Sequence, residues 1–133
     1  MKLTIFTDGG SRNNPGPSAT GIVIKDEKGK TIANYGEYLG EQTNNYAEYM
    51  AIISALKKAK EMGGTELECI ADSKLVVEQL NGNWKVKERT LQKLFVQAYN
   101  LLQQFKKVKI KHTLRANNKE ADAEVNKVLD THM

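Results

Sequence analysis

Cysteine is almost absent from this chain: Cys69 stands alone, which excludes an internal disulfide and any cysteine-rich metal site. Histidine is nearly as scarce, with only His112 and His132, so no histidine cluster is available for zinc. Both prolines, Pro15 and Pro17, fall in one short stretch, and the rest of the chain is free to form regular structure. No apolar run approaches the roughly 20 residues of a membrane-spanning helix. The opening segment MKLTIFTDGG has too short an apolar run for a signal peptide, so a soluble, cytoplasmic protein in reducing surroundings is expected. Repeats, linkers and low-complexity tracts are also missing.

What is present describes an ordinary globular domain. Hydrophobic residues make up 40% of 133 residues and charged residues 27%, enough apolar material for one continuous core spanning 1–133. The net charge of +4 is unevenly placed. The first 70 residues carry 8 basic and 9 acidic side chains, whereas the remainder carries 12 and 7. Lys85, Lys87 and Arg89 form one basic cluster, and Lys106, Lys107, Lys109 and Lys111 another. Such clusters suit either a phosphate backbone or a solvated basic face.

Periodicity gives the elements. Leu3–Thr7 is β-branched and aromatic, and Asp8-Gly9-Gly10 predicts its end in a turn. Ser11 to Ser18 reads as a loop. Strands over Thr20–Lys25 and Thr31–Leu39, joined at Asp26-Glu27-Lys28-Gly29, complete an antiparallel meander. From Asn45 the period becomes helical, with Ala47, Met50, Ala51, Ser54, Ala55 and Ala59 recurring until Gly63-Gly64. Leu67–Ala71 reads as a strand, Asp72-Ser73 starts a helix ending at Gly82, and a longer helix covers Thr90–Phe105. Val108–Leu114 is the fifth strand, and a last helix begins near Asn118. The class is α/β: a five-stranded mixed sheet, three antiparallel strands first, flanked by helices in the order βββαβααβα.

Four acidic residues sit at element ends, and each has an ordinary structural reading. Asp8 suits a turn before Gly9; Glu48 suits a capping box with Asn45. Asp72 suits an N-cap, and Asp122 the positive end of a helix dipole. Their joint placement suggests more. If the first and fourth strands are parallel neighbours, their C-terminal ends bring Asp8 and Asp72 together, at the edge where α/β sheets place their sites. Carboxylates so close repel unless cations neutralise them, and oxygen-only ligands point to Mg²⁺ or Mn²⁺.

The blocks TDGGSRNNPGP at 7–17, TNNYAEYMAIISAL at 43–56, ADSKLVVEQLNG at 71–82 and NNKEAD at 117–122 resemble the type 1 ribonuclease H family, and the likeness runs from Thr4 to about Asp130. It implies a ribonuclease H-like fold and an endoribonuclease that hydrolyses the RNA strand of RNA–DNA hybrids, leaving 5′-phosphate and 3′-hydroxyl ends. A weak hybrid or double-stranded RNA binding module of the same fold is the alternative. Asp8, Glu48, Asp72 and Asp122 become the catalytic and metal-binding quartet, with two Mg²⁺ ions per site and Mn²⁺ as substitute. Gly9, Asn13, Asn14, Asn44 and Asn45 occupy the blocks that contact RNA in the family. Thr43 matches a residue holding a DNA-strand phosphate. A hybrid duplex is the implied partner, with no membrane or obligatory protein partner and a monomeric state.

The sequence departs from the common pattern in several places. No loop histidine follows the fifth strand; His112 alternates with Ile110 and Leu114 and is expected to face the sheet interior. The short loop offers Arg115 instead, expected as a phosphate contact or catalytic assistant, in resemblance to a compact subgroup of the family. The basic protrusion is missing, and Trp84 with Lys85, Lys87 and Arg89 is either a reduced substitute or, for Trp84, core packing. Lys74 replaces a common hybrid-contacting amide, Glu124 replaces an apolar residue, and His132 is expected to play no part.

Overall fold

The computed structural model describes residues 1–132. Strands β1 (Lys2–Ser11), β2 (Gly16–Lys25), β3 (Thr31–Gln42), β4 (Glu66–Ala71) and β5 (Lys107–His112) form one sheet in the order β3-β2-β1-β4-β5. Helices α1 (Asn44–Glu61), α2 (Lys74–Leu80), α3 (Arg89–Leu102) and α4 (Lys119–Thr131) complete the βββαβααβα order read from the sequence. β1 pairs antiparallel with β2 and parallel with β4, and β4 pairs parallel with β5. No helix among the described residues is long and apolar enough to cross a membrane.

Period-2 burial builds the core. Leu3, Ile5 and Thr7 of β1 point to the face that also receives Leu67, Cys69 and Ala71 of β4. α1 lies on this face, and α3 covers α1 with Leu91, Leu94 and Ala98. That sandwiched position explains why Ile52, Ile53, Ala55 and Leu56, which point in different directions around α1, are all buried. α4 covers the opposite face over β1–β3. Gly21 permits its approach, since a Cβ there would lie 2.0 Å from the Ala121 carbonyl oxygen. The predicted stop at Gly63-Gly64 is a paired C-cap: Gly63 N–H donates to Lys60 O at 3.1 Å and Gly64 N–H to Ala59 O at 2.9 Å.

Several expectations are corrected. β1 does not stop at Asp8-Gly9-Gly10; pairing continues to Ser11↔Ser18, because the ladder to β2 satisfies those backbone groups. The loop is therefore only residues 12–15. Glu48 is no capping-box member: Thr43 is the N-cap, its Oγ1 accepting from Tyr46 N–H at 3.2 Å. Ser73, not Asp72, caps α2. His112 shares the β5 face of Ile110 but is exposed, at the last position of the edge strand. Trp84 is 44% exposed and does not pack into the core. Glu124 accepts a hydrogen bond from Asn34 Nδ2 of β3 at 3.2 Å, which accounts for a carboxylate at an apolar position. His132 stacks on Tyr38, ring centroids 4.1 Å apart.

Candidate metal centre

Register places the first pair of carboxylates. Thr7 is the last β1 residue paired with β4, opposite Ala71, so Asp8 and Asp72 are the next residues on two parallel neighbours. Glu48 arrives from α1, which approaches β1 closely only because residue 9 is glycine. A Cβ on Gly9 would lie 2.2 Å from the Ala47 carbonyl carbon. Gly9 N–H then donates to Glu48 Oε1 at 3.1 Å and fixes that side chain. Ligand oxygens of Asp8, Glu48 and Asp72 all lie within 4.8 Å of one another.

Asp8 is 6% exposed and Glu48 8%, and no cation side chain neutralises the group among the described ion pairs except Arg115 at Asp122. Burial, followed by the charge of Asp72, pushes the Asp8 carboxyl up to about 7. Burial and the charges of Asp8 and Asp72 raise Glu48 well above the usual carboxylate range. Glu48 Oε2 and Asp72 Oδ2 are buried without a hydrogen-bond partner among the described residues. Buried acceptors so placed are costly, and an all-oxygen donor set fits a hard divalent cation rather than zinc.

Asp122 stands outside this trio. It lies in the first turn of α4, where Asn118 Nδ2 donates to Thr7 O at 2.8 Å and ties the helix start to β1. Its Oδ1 lies 3.6 Å from Arg115 Nη2, and its Oδ2 accepts from Asn126 Nδ2 at 3.3 Å. All four carboxylates line one cleft of about 480 Å³, together with Gly9, Arg12, Asn44, Asn45 and Arg115.

The asparagines carry structural duties. Asn14 Oδ1 accepts from Asn44 N–H at 3.0 Å, and Asn44 Oδ1 accepts from Ser11 N–H at 2.8 Å, which binds the 12–15 loop to the start of α1. Asn13 takes the left-handed conformation of a tight turn at φ 65°. Asn13, Thr43 and Lys74 are exposed beyond the cleft lining. Lys85 and Lys87 are exposed on the short connection between α2 and α3, Arg89 is exposed at the first position of α3, and none of the three lines the cleft. That connection is anchored by a buried chain the sequence did not reveal, in which Tyr49 Oη donates to Gln79 Oε1 at 2.5 Å and Gln79 Nε2 to Lys85 O at 3.1 Å. Arg12, Asn126 and Asp130 were also missed; the only signal was the four-residue spacing of Asp122, Asn126 and Asp130.

The family model described as reverse transcriptase-like matches residues 6–128. The bifunctional protein Rv2228c of Mycobacterium tuberculosis is 44% identical over 98% of this chain and 36% of its own length. The N-terminal RNase H domain of Rv2228c superposes with a TM-score of 0.94 at 43% identity, covering 98% of this chain and 100% of that one. Ribonuclease HI of Halobacterium salinarum is 42% identical over 97% of this chain and 65% of that protein. Its crystal structure gives a TM-score of 0.96 at 40% identity, with 98% and 99% covered. LC11-RNase H1, solved in complex with an RNA/DNA hybrid, gives 0.93 at 40% identity, with 98% of each chain covered. The chain thus spans about a third of the mycobacterial relative and just under two thirds of the haloarchaeal one. Matches of this extent show that the chain belongs to the type 1 ribonuclease H family.

Proposed function

We propose that this chain is a divalent-metal-dependent endoribonuclease that hydrolyses the RNA strand of RNA–DNA hybrids and leaves 5′-phosphate and 3′-hydroxyl ends. One observation carries the reading: three carboxylates, from β1, α1 and the β4–α2 junction, crowd within 4.8 Å of one another with no ion-paired cation among the described residues. Asp8, Glu48 and Asp72 are the residues to hold Mg²⁺, or Mn²⁺ in its place, and Asp122 completes the quartet for a second ion. Bound cations supply positive charge against the phosphate oxygens during an in-line displacement.

The protein's own groups do the rest. Gly9 N–H orients Glu48, so one oxygen stays committed to the backbone and the other faces the cleft. Arg115, 82% exposed beside Asp122, offers a guanidinium to a substrate phosphate. Asn45, with the backbone at Gly9 and the free amide nitrogens of Asn14 and Asn44, meets the RNA strand, whose 2′-hydroxyls are both donors and acceptors. Thr43 flanks the cleft for the DNA strand, Lys74 is a further contact to the hybrid, and Trp84 with Lys85, Lys87 and Arg89 forms a small grip outside it. Few cations at that grip give a weak hold that depends modestly on salt.

Cleavage of a hybrid labelled on its RNA strand, in Mg²⁺ or Mn²⁺, tests the proposal, with all-DNA duplex and double-stranded RNA alongside. RNA-strand cutting that Asp8→Asn abolishes is the expected result. Hybrid binding without cutting in either metal refutes it in favour of a binding module, and cutting of the all-DNA duplex refutes the assigned substrate.

A further inference from the structure

The feature the quartet leaves unexplained is a polar relay behind Asp122. α4 presents Asp122, Asn126 and Asp130 at four-residue intervals, which places them along one face. Arg12, from the β1–β2 connection, reaches that face. Its Nη2 donates to Asp130 Oδ1 at 2.7 Å and to Asn126 Oδ1 at 3.5 Å, and Asn126 Nδ2 donates to Asp122 Oδ2 at 3.3 Å.

An exposed asparagine ordinarily turns its amide freely, and its two ends are distinguished only by their partners. Here the partners decide. A guanidinium has donors alone, so it requires the oxygen of Asn126; the nitrogen is then left for Asp122, which accepts. Arg12 is itself fixed, because its backbone N–H donates to Pro17 O at 2.9 Å and its side chain is held by Asp130.

We infer that Asn126 is a positioning residue for Asp122, and that Arg12, anchored by Asp130, holds Asn126 in the orientation that does it. Asp122 is the quartet member outside the tight trio: it interacts with Asp8, and its Oδ1 lies 3.6 Å from Nη2 of the exposed Arg115, which competes for that carboxylate. Asn126 occupies the other oxygen and keeps the carboxylate turned to the cleft. The inference deepens the proposed reaction and rests on that reading of the cleft.

The test compares Asn126→Ala, Asn126→Gln, Arg12→Ala and their double variant, with exposed Asn100→Ala on α3 as control. Cleavage of hybrid gives kcat and KM; calorimetric titration of Mn²⁺ without substrate gives an independent reading. Asn126→Ala is expected to lower kcat about tenfold with KM within about twofold, and to weaken Mn²⁺ binding about threefold. Asn126→Gln, which keeps the donor, recovers most of both. Arg12→Ala reproduces the defect, and the double variant is no worse than Asn126→Ala, as one relay requires. Wild-type kcat and Mn²⁺ affinity in Asn126→Ala overturn the inference, as does a loss that Gln leaves unrestored or that adds fully to the Arg12→Ala loss. If the wild-type chain cuts no hybrid, the proposed reaction fails, and the Mn²⁺ titration still decides whether Asn126 positions Asp122.

Discussion

The two ends of the β1–β4 pair bury side chains to nearly the same degree and with opposite consequences. At the N-terminal end, Leu3 meets Leu67 and Ile5 meets Cys69, all no more than 4% exposed. Each buried aliphatic side chain there contributes about 1.5–3 kcal/mol. At the C-terminal end, Asp8 is 6% exposed and shares its space with Glu48 and Asp72, and burial lifts the Asp8 and Glu48 carboxyls instead of stabilising the fold. A rigid apolar half therefore supports a polar half that the protein would be more stable without. Strain of this kind collects where function requires it.

The largest break in the comparison comes from removing charge at the polar end. Asp8→Asn should lower hybrid cleavage by roughly a thousandfold or more while leaving metal-free stability at pH 8 unchanged or raised, by urea unfolding. The matching change at the apolar end behaves in the reverse way. Ile5→Ala should cost about 2–5 kcal/mol of stability, yet the molecules still folded should bind Mn²⁺ with wild-type affinity.

The pH response separates the two ends further. Asp8 holds its proton more tightly folded than unfolded, with the carboxyl lifted from 3.8 to about 7. Its contribution is fully present below about pH 4 and is lost as pH rises to about 7. The metal-free melting temperature should therefore fall across that window, and Mg²⁺ or Mn²⁺ should raise it more at pH 8 than at pH 5. Asp8→Asn should flatten both responses. The smallest effect belongs outside the cleft. Lys85→Ala and Lys87→Ala should each reduce the salt slope of hybrid binding by at most about one unit, with kcat unchanged.

Most of the architecture was legible because it is periodic. The switch from period 2 to period 3.6 at Asn45 and the glycines at 63, 64 and 82 marked the elements to within a few residues. What failed depended on partners distant in sequence. Gly9 and Gly10 look like a turn until the β2 ladder is there to pair with them. Glu48 fits a capping box locally, but Thr43 takes the cap and Gly9, 39 positions away, takes the carboxylate. His112 lies on the core side by parity, yet it is exposed at the last position of the edge strand β5. Convergence of Asp8 with Asp72 was readable from strand order; the Arg12–Asn126–Asp122 relay, with partners more than a hundred residues apart, left only a spacing on α4.

Whether the polar end exists to hold cations is read most directly by soaking crystals of the protein in Mn²⁺ and calculating an anomalous difference map. A peak among the carboxylates of Asp8, Glu48 and Asp72, lost in Asp8→Asn crystals, is the result this account predicts. A map with no peak in that cleft at saturating Mn²⁺ would contradict it.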